Sequence, residues 1–404
     1  MKRIERGRQN SGFLKSRKNE RKISPLRWIR WVLIILVLTL GVYSSFTVAN
    51  NLLTADSHCS VCKSRLNLIK ERKDLSSTLV IFKSPVDNRL AGGWLIVNNE
   101  NTGSTLVIYI PPGVYVEDPN QLFNAHIQVA DLEYAAKLVN PNRTVEYVVW
   151  QIENMTGFTV ENYIWLDEKS LSLYATMFGD ISEYSEYDFK EKFNPSRDVS
   201  AASMGINSFY SRFNLVTLAV KSEVWNKFIS GVDSNLTSIA LIKLLHRGYS
   251  QLDAGGIKMI DLSQKWAYVS RIDSNGRNIS VINYPEFDRK IEENFNIIRT
   301  RLVEKEQARV EVYNGSGVSG LAGRYARKVQ NYGVKVVRYD NAPNNLPKTT
   351  IYISDKKKFL NSFNSVEDLV CGKCEIINGR PDFITTGDII VILGEDKESE
   401  LRWR

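Results

Sequence analysis

VEVYNGSGVSGLAGRYARKVQNYGVKVV, residues 310–337, is the stretch that decides the architecture of the chain. Val310-Glu311-Val312-Tyr313 has the β-branched and aromatic content of a strand. Asn314 to Gly320 follows as NGSGVSG, a run of turn formers. LAGRYARKVQNYG then sets Leu321, Tyr325, Val329 and Tyr332 along one side at helical spacing, and Val334-Lys335-Val336-Val337 reads as a second strand. Gly315, Gly317 and Gly320 fit G-x-G-x-x-G, and Asp340 sits twenty residues beyond the last of them, which is the outline of a dinucleotide site. Only about 90 residues remain for this domain, too few for a full doubly wound sheet. The glycines have a sufficient structural role in a tight turn and in close packing of helix on strand. What survives is a candidate anion-binding loop, in which the N–H groups around Gly315, Ser316 and Gly317 at a helix start hold a phosphate or carboxylate.

Outward from this stretch, the chain is organised by its N-terminus. Trp31 to Ala55 carries no charge, and WVLIILVLTLGVYSSFTVA within it is long and apolar enough to cross a bilayer as one helix. Residues 1–30 hold 11 Lys/Arg against 2 Asp/Glu, whereas the rest of the chain holds 42 against 43. The positive-inside rule therefore predicts a cytoplasmic tail and an outer region beyond about residue 56. Thr47-Val48-Ala49 is a poor small-residue cleavage site, so an anchor is preferred to a cleaved signal peptide. The net charge of +8 belongs to the tail, and the outer part is neutral, so no nucleic-acid partner is expected. An outer location also disfavours a nicotinamide cofactor at the glycine loop.

The cysteines form two C-x-x-C pairs, Cys59/Cys62 and Cys371/Cys374. Disulfides suit an oxidising exterior. A shared zinc site with His58 as a further ligand is a second reading, weakened by the long gap between the pairs. A redox pair and unpaired thiols complete the set. No metal or other cofactor is fixed by these residues alone.

Between anchor and glycine loop, Trp94–Val97 and Thr105–Ile110 read as strands joined by the turn-rich NNENTG, and Pro111-Pro112-Gly113 ends the second. Asp131–Leu138 is expected to be helical, Val145–Ile152 helix or strand, and Tyr163–Leu166 a buried strand. Phe213, Val216, Val220, Val224 and Phe228 form an apolar stripe that predicts one long packed helix over Phe209–Ile229. Ser238–Leu245 is a further helix. Phe287, Ile291, Phe295, Ile298 and Leu302 predict a helix joining two domains. The expected organisation is a basic tail (1–30), a transmembrane helix (31–55), a juxtamembrane stalk (56–76), an α/β domain (77–285), a connecting helix (286–307), a small α/β domain (308–395) and a short tail (396–404).

The string over 310–337 resembles the opening of the LytR C-terminal domain, which commonly follows the catalytic domain of LytR–CpsA–Psr (LCP) cell-envelope proteins. The same family is echoed upstream. GWLIVNNENTGSTLVIYIPPGVYV resembles its paired strands running into an Ile-Pro-Arg-Asp motif, and LFNAHI its Asn-Ala segment. VVWQIENMTGFTVENYIWLDEKSLSLYATMFGDI resembles the stretch ending in a Gly-Gly-Val turn, and SRFNLVTLAVKSEVW a late helix that begins with Arg. The resemblance implies an α/β/α sandwich outside the membrane, an apolar tunnel for a lipid tail, and transfer of glycopolymers from a polyprenyl-pyrophosphate lipid to peptidoglycan with Mg²⁺.

Transfer from a pyrophosphate needs arginines and a carboxylate-held metal to neutralise the leaving group. Arg89 remains from an Arg-Ser-Asp motif whose Asp reads Ala91. The Arg-Asp after Ile110-Pro111 reads Pro112-Gly113, the lysine before Asn-Ala reads Leu122, and the aspartate before the Gly-Gly turn reads Thr176. Arg89, Asn124 and Arg212 are the surviving candidate phosphate ligands, with Arg143 and Arg197 as further basic residues and His126 as a candidate base. The expectation is a membrane-anchored, catalytically impaired LCP-like module that binds polyprenyl-(pyro)phosphate lipid or wall polymer. The alternatives are an active transferase that recruits Asp87, Asp131 or Asp180, and a scaffold or sensor that binds no lipid.

Overall fold

The computed structural model describes residues 25–55, 57–59, 75–84, 89–117, 126–179, 209–273, 275–294, 301–371 and 374–397. The chain divides into Met1–Ala49 and Asn50–Arg404. The first unit is built on α1 (Pro25–Leu53). Within α1, Leu33–Leu53 is 21 residues long and apolar enough to cross a membrane. At the rise of an α-helix that is about 30 Å, the thickness of a hydrocarbon core.

The second unit opens on a six-stranded sheet. Its strands are β1 (Leu75–Lys83), β2 (Leu90–Asn99) and β3 (Ser104–Ile110), then β6 (Asn162–Leu166), β7 (Asp233–Ser234) and β8 (Ile257–Asp261), in the order β7-β6-β1-β2-β3-β8. β1, β3, β6 and β8 run parallel, and β2 runs against its two neighbours. The alternate residues of these strands feed two separate cores, which is why they read as continuous apolar runs. Leu79, Leu95 and Ile108 face a layer containing α2 (Leu132–Val139) and α3 (Thr144–Thr156). Val80, Ile96 and Val107 face a layer with α4 (Glu168–Phe178), α5 (Leu215–Val220), α6 (Ser222–Gly231) and α7 (Ser238–Asp253). The expected α/β/α sandwich is thus present, and Val145–Ile152 resolves as helix.

A smaller sheet, β5-β4-β10-β9, combines β4 (Tyr115–Glu117) and β5 (His126–Gln128) with β9 (Tyr268–Ile272) and β10 (Asn278–Ile282). After α8 (Tyr284–Glu293) and α9 (Arg301–Glu306), the C-terminal domain forms a five-stranded sheet. Its strands are β11 (Arg309–Asn314), β12 (Lys335–Asn341), β13 (Thr350–Ile353), β14 (Glu375–Asn378) and β15 (Ile389–Leu393), ordered β12-β11-β15-β13-β14. The helices α10 (Leu321–Asn331) and α11 (Leu360–Val370) join them. β11 and β12 are parallel across α10, as the strand–loop–helix–strand reading requires.

One expectation is corrected. The stripe over Phe209–Ile229 is not one helix. Asn214 accepts hydrogen bonds from the Val216 and Thr217 N–H groups and starts α5 afresh. Val216 and Val220 are 72% and 78% exposed, while Leu218, Trp225, Phe228 and Ile229 carry the packing. The connecting helix is seen as α8 and α9, with Phe295 and Ile298 outside the described residues, and Leu302 is exposed while its neighbour Val303 is buried. The start of the expected stalk is docked. Ala55 is buried in the second core, and Ser57 Oγ donates to the Ser234 and Leu236 carbonyls at 2.9 and 2.8 Å.

The C-terminal domain shares a continuous core with the sandwich. Asn331 Nδ2 donates to the Thr156 carbonyl (2.8 Å), and Tyr332 Oη accepts from the Thr159 N–H (3.1 Å). The Arg327 guanidinium lies 3.8 Å over the Tyr284 ring and pairs with Asp288 at 2.9 Å.

Gly92 has φ +108°, and a Cβ there would lie 2.7 Å from the Ile110 carbonyl oxygen. Gly92→Ala is therefore expected to cost about 1–3 kcal/mol. Gly113→Ala, where a Cβ meets nothing within 4 Å, is expected to be near neutral. Thermal melting of the two full-length variants in detergent tests the contrast.

Candidate functional site

Both faces of the large sheet are covered, so polar chemistry gathers where the parallel strands end. The carboxyl ends of β1, β3, β6 and β8 lie at one edge together with the start of β2. Arg89 stands there, directly before β2. Its Nε and Nη2 donate to Asp131 Oδ1 and Oδ2, both at 2.8 Å, and Nη2 also reaches Gln128 Oε1 at 3.2 Å. This is a forked, two-point ion pair. Asp131 is held in place by the backbone beside it, because the Ala130 N–H donates to the Pro112 carbonyl. The Pro111–Gly113 turn thus positions the partner of Arg89.

A second pair lies close in sequence to the first. Lys83, at the end of β1, donates to Glu133 Oε1 at 3.1 Å, and Lys137 donates to the same oxygen at 2.7 Å. Glu133 is only 6% exposed, so two ammonium groups compensate one buried carboxylate.

The third polar group was not singled out from the sequence. Asp261 ends β8 opposite Tyr109 of β3. Burial pushes the Asp261 carboxyl above its usual range, against hydrogen bonds from Ser263 and Gln264 that pull it down. Burial, with Asp261 and Tyr268 nearby, pushes the Tyr109 phenol well up. The signal was an acidic residue closing the strand-like run Ile257-Lys258-Met259-Ile260.

The other expected site residues are not gathered here. Arg212 lies against Gly179, at the far end of α4, and acts electrostatically on Tyr174. Arg143 donates to Glu146 at 2.7 and 2.6 Å, which pushes its pKa up and anchors the start of α3. His126 is on β5, with Nδ1 buried and without a hydrogen-bond partner among the described residues. Thr176 is exposed and bonds back to the Ser172 carbonyl within α4. Leu122, Asn124, Arg197, Asp87, Asp180 and Cys62 lie outside the described residues.

The described residues at this edge do not fit the Mg²⁺ that the resemblance implies. Both oxygens of Asp131 are engaged by Arg89, and among the described residues no group of three or more His, Cys, Asp or Glu side chains could hold a metal ion. Zinc does not fit the second cysteine pair either, because Cys371 and Cys374 form a disulfide. Cys59 is disulfide-bonded as well. Three N–H groups of the glycine loop are engaged within the chain. Gly315 N–H donates to the Leu393 carbonyl, Ser316 N–H to Asn314 Oδ1 and Val318 N–H to Ser316 Oγ. Asp340 pairs with Arg338 at 2.8 Å on the exposed strand β12.

Between the sheet and α3, a cavity lined by Leu79, Ile81, Leu90, Val148 and Ile152 has a volume of about 10 Å³, room for no more than about one water. Trp150 is buried within this layer. On the other face Trp94, Tyr174, Phe209 and Phe228 pack ring to ring, and Tyr210 fills the space beside Gly248.

Asp261 yields a test with a defined sign. Its folded pKa lies above its unfolded one, so protonation favours the fold, and that contribution fades as pH rises through the folded pKa. Asp261→Asn retains an acceptor for the Ser263 N–H and removes the ionisation. The variant is expected to melt above the parent at neutral pH, with the gap closing as pH falls below the usual carboxylate range. Melting curves of both proteins across that range check it.

A comparison with curated proteins finds no match. Among solved structures, Bacillus subtilis TagV is similar at 11% identity and a TM-score of 0.37, over 54% of this chain and 95% of that chain. Protein gbs0355 of Streptococcus agalactiae is similar at 12% identity and a TM-score of 0.39, over 54% of this chain and 85% of that chain. TagT bound to LI-WTA, a B. subtilis protein, is similar at 13% identity and a TM-score of 0.35, over 56% of this chain and 93% of that chain. Residues 307–396 match the family model LytR_C, described as LytR cell envelope-related transcriptional attenuator. Behind one apolar helix and a layered α/β domain, the chain therefore carries a LytR C-terminal domain.

Proposed function

We propose that this chain is a single-pass, membrane-anchored cell-envelope protein whose LCP-like module has lost the family's transfer chemistry and binds wall polymer instead. The basic tail before α1 supports a cytoplasmic N-terminus with the two α/β domains outside. The observation that carries the reading is the Arg89–Asp131 pair. The surviving arginine of the motif is held by a carboxylate and an amide, and that carboxylate is the one described candidate for a rearranged metal site. Ala91 is buried in β2 where the family has an aspartate, and Pro112-Gly113 offers neither guanidinium nor carboxylate. Missing charges of this kind cost a few kcal/mol each in a phosphotransfer transition state. The small volume of the cavity between the sheet and α3, among the described residues, supports polymer or scaffold binding over storage of a polyprenyl tail there.

The full-length protein in detergent, given a polyprenyl-pyrophosphate-linked glycopolymer, peptidoglycan and Mg²⁺, is expected to release no polyprenyl phosphate. Mass spectrometry of the purified protein is expected to find no co-purified polyprenyl lipid. Turnover overturns the loss of chemistry, and a stoichiometric lipid overturns the preference for polymer. Arg89 and Asp131 are 40% and 39% exposed, so Arg89→Ala is expected to lower stability by less than about 1 kcal/mol. A much larger loss in a melting experiment would make the pair a structural keystone rather than the remnant of a site.

A further inference from the structure

We propose that the face of the outer domain around the exit of α1 lies within the outer surface of the bilayer, with Leu215, Val216, Val220 and Ile239 inserted at the boundary of headgroups and acyl chains. The inference rests on the reading of α1 as a membrane anchor. The apolar span runs to Leu53, yet the domain grips the chain before that point. Asn51 Nδ2 donates to Ser222 Oγ (3.4 Å), and Asn226 Nδ2 donates to the Asn51 carbonyl (3.3 Å). Leu52 packs on the second core and Ala55 is buried in it. Asn51 lies within the apolar span, so the residues bonded to it stand at the depth where the span ends.

One apolar cluster and one further exposed apolar residue lie near that point along the chain. Val220 is two residues before Ser222, and α5 exposes Leu215, Val216 and Val220 at 48%, 72% and 78%. Ser57 Oγ donates to the Leu236 carbonyl, and Ile239, 43% exposed, lies three residues on, at the start of α7. Isolated exposed apolar side chains need no explanation, but a group gathered around one spot does. The neighbouring charges leave the apolar groups free to insert. Lys221 Nζ turns back to donate to the Thr176 and Met177 carbonyls at the end of α4, and the exposed Lys227 pairs with Glu223. A short amphipathic surface of this kind suits the interface of a bilayer.

None of the described cysteines is free, so a single introduced thiol can be labelled without reduction. Full-length Val220→Cys and, as a control, Val337→Cys on β12 are labelled with an environment-sensitive fluorophore. They are then reconstituted into phosphatidylcholine–phosphatidylglycerol vesicles with and without nitroxide-bearing acyl chains. The label at 220 is expected to lose most of its emission to the lipid nitroxides, and the label at 337 none. A protein that stays with the vesicles under alkaline carbonate but shows no lipid quenching at 220 overturns the inference and leaves the anchor intact. Shielding at 220 from an aqueous quencher without lipid quenching also overturns it, since a protein surface then covers the patch. Release of the chain by carbonate overturns inference and anchor together.

Discussion

A sheet covered on both faces confines polar groups to its ends, because a charge between two apolar layers loses its hydration. In this protein that constraint places Lys83, Arg89, Asp131 and Asp261 at the carboxyl edge of one sheet, and it also determines how they are held. Each must be matched locally. Glu133 has two lysines, Asp131 has a forked guanidinium, and Asp261 has only the neutral donors of the following turn. The last arrangement leaves its carboxyl with a raised pKa.

The same edge shows how a turn without side-chain charge is used. Pro112 and Gly113 supply no side-chain charge, yet the backbone there is well used. The Pro112 carbonyl receives the Ala130 N–H, and this contact seats Asp131 beneath Arg89. An arginine without an anionic ligand would be left with unmatched donors, and Asp131 with Gln128 meets that need from within the chain. The two-point pair is half exposed, so it tidies the edge more than it stabilises the fold.

Local signals in the sequence carried much of the architecture. The β2–β3 hairpin was legible because turn formers interrupt two β-branched runs, and the glycine loop because strand, turn and helix follow one another within thirty residues. The break at Asn214 was not legible, since an asparagine inside an apolar stripe reads equally as a helix interior or a cap. The partner of Arg89 was also hidden, because Asp131 lies 42 positions away and is aligned only by the turn at Pro112. The stripe that named Val216 and Val220 found a true periodicity but assigned it to a core, when those side chains face outward. The loop at Gly315–Gly317 misled in the other direction. The Gly315 and Ser316 N–H groups are taken by Leu393 and Asn314, so these two act here as an internal latch.

The contacts of Asn331 and Tyr332 with the Thr156–Thr159 turn have a mechanical consequence. A domain hung on a loose tether can sweep a volume and search for its partner. One bolted to its neighbour cannot, and whatever it grips is carried at a set distance from the carboxyl edge of the large sheet. Tension applied at the far end is then passed on as torque through the body instead of being absorbed by slack.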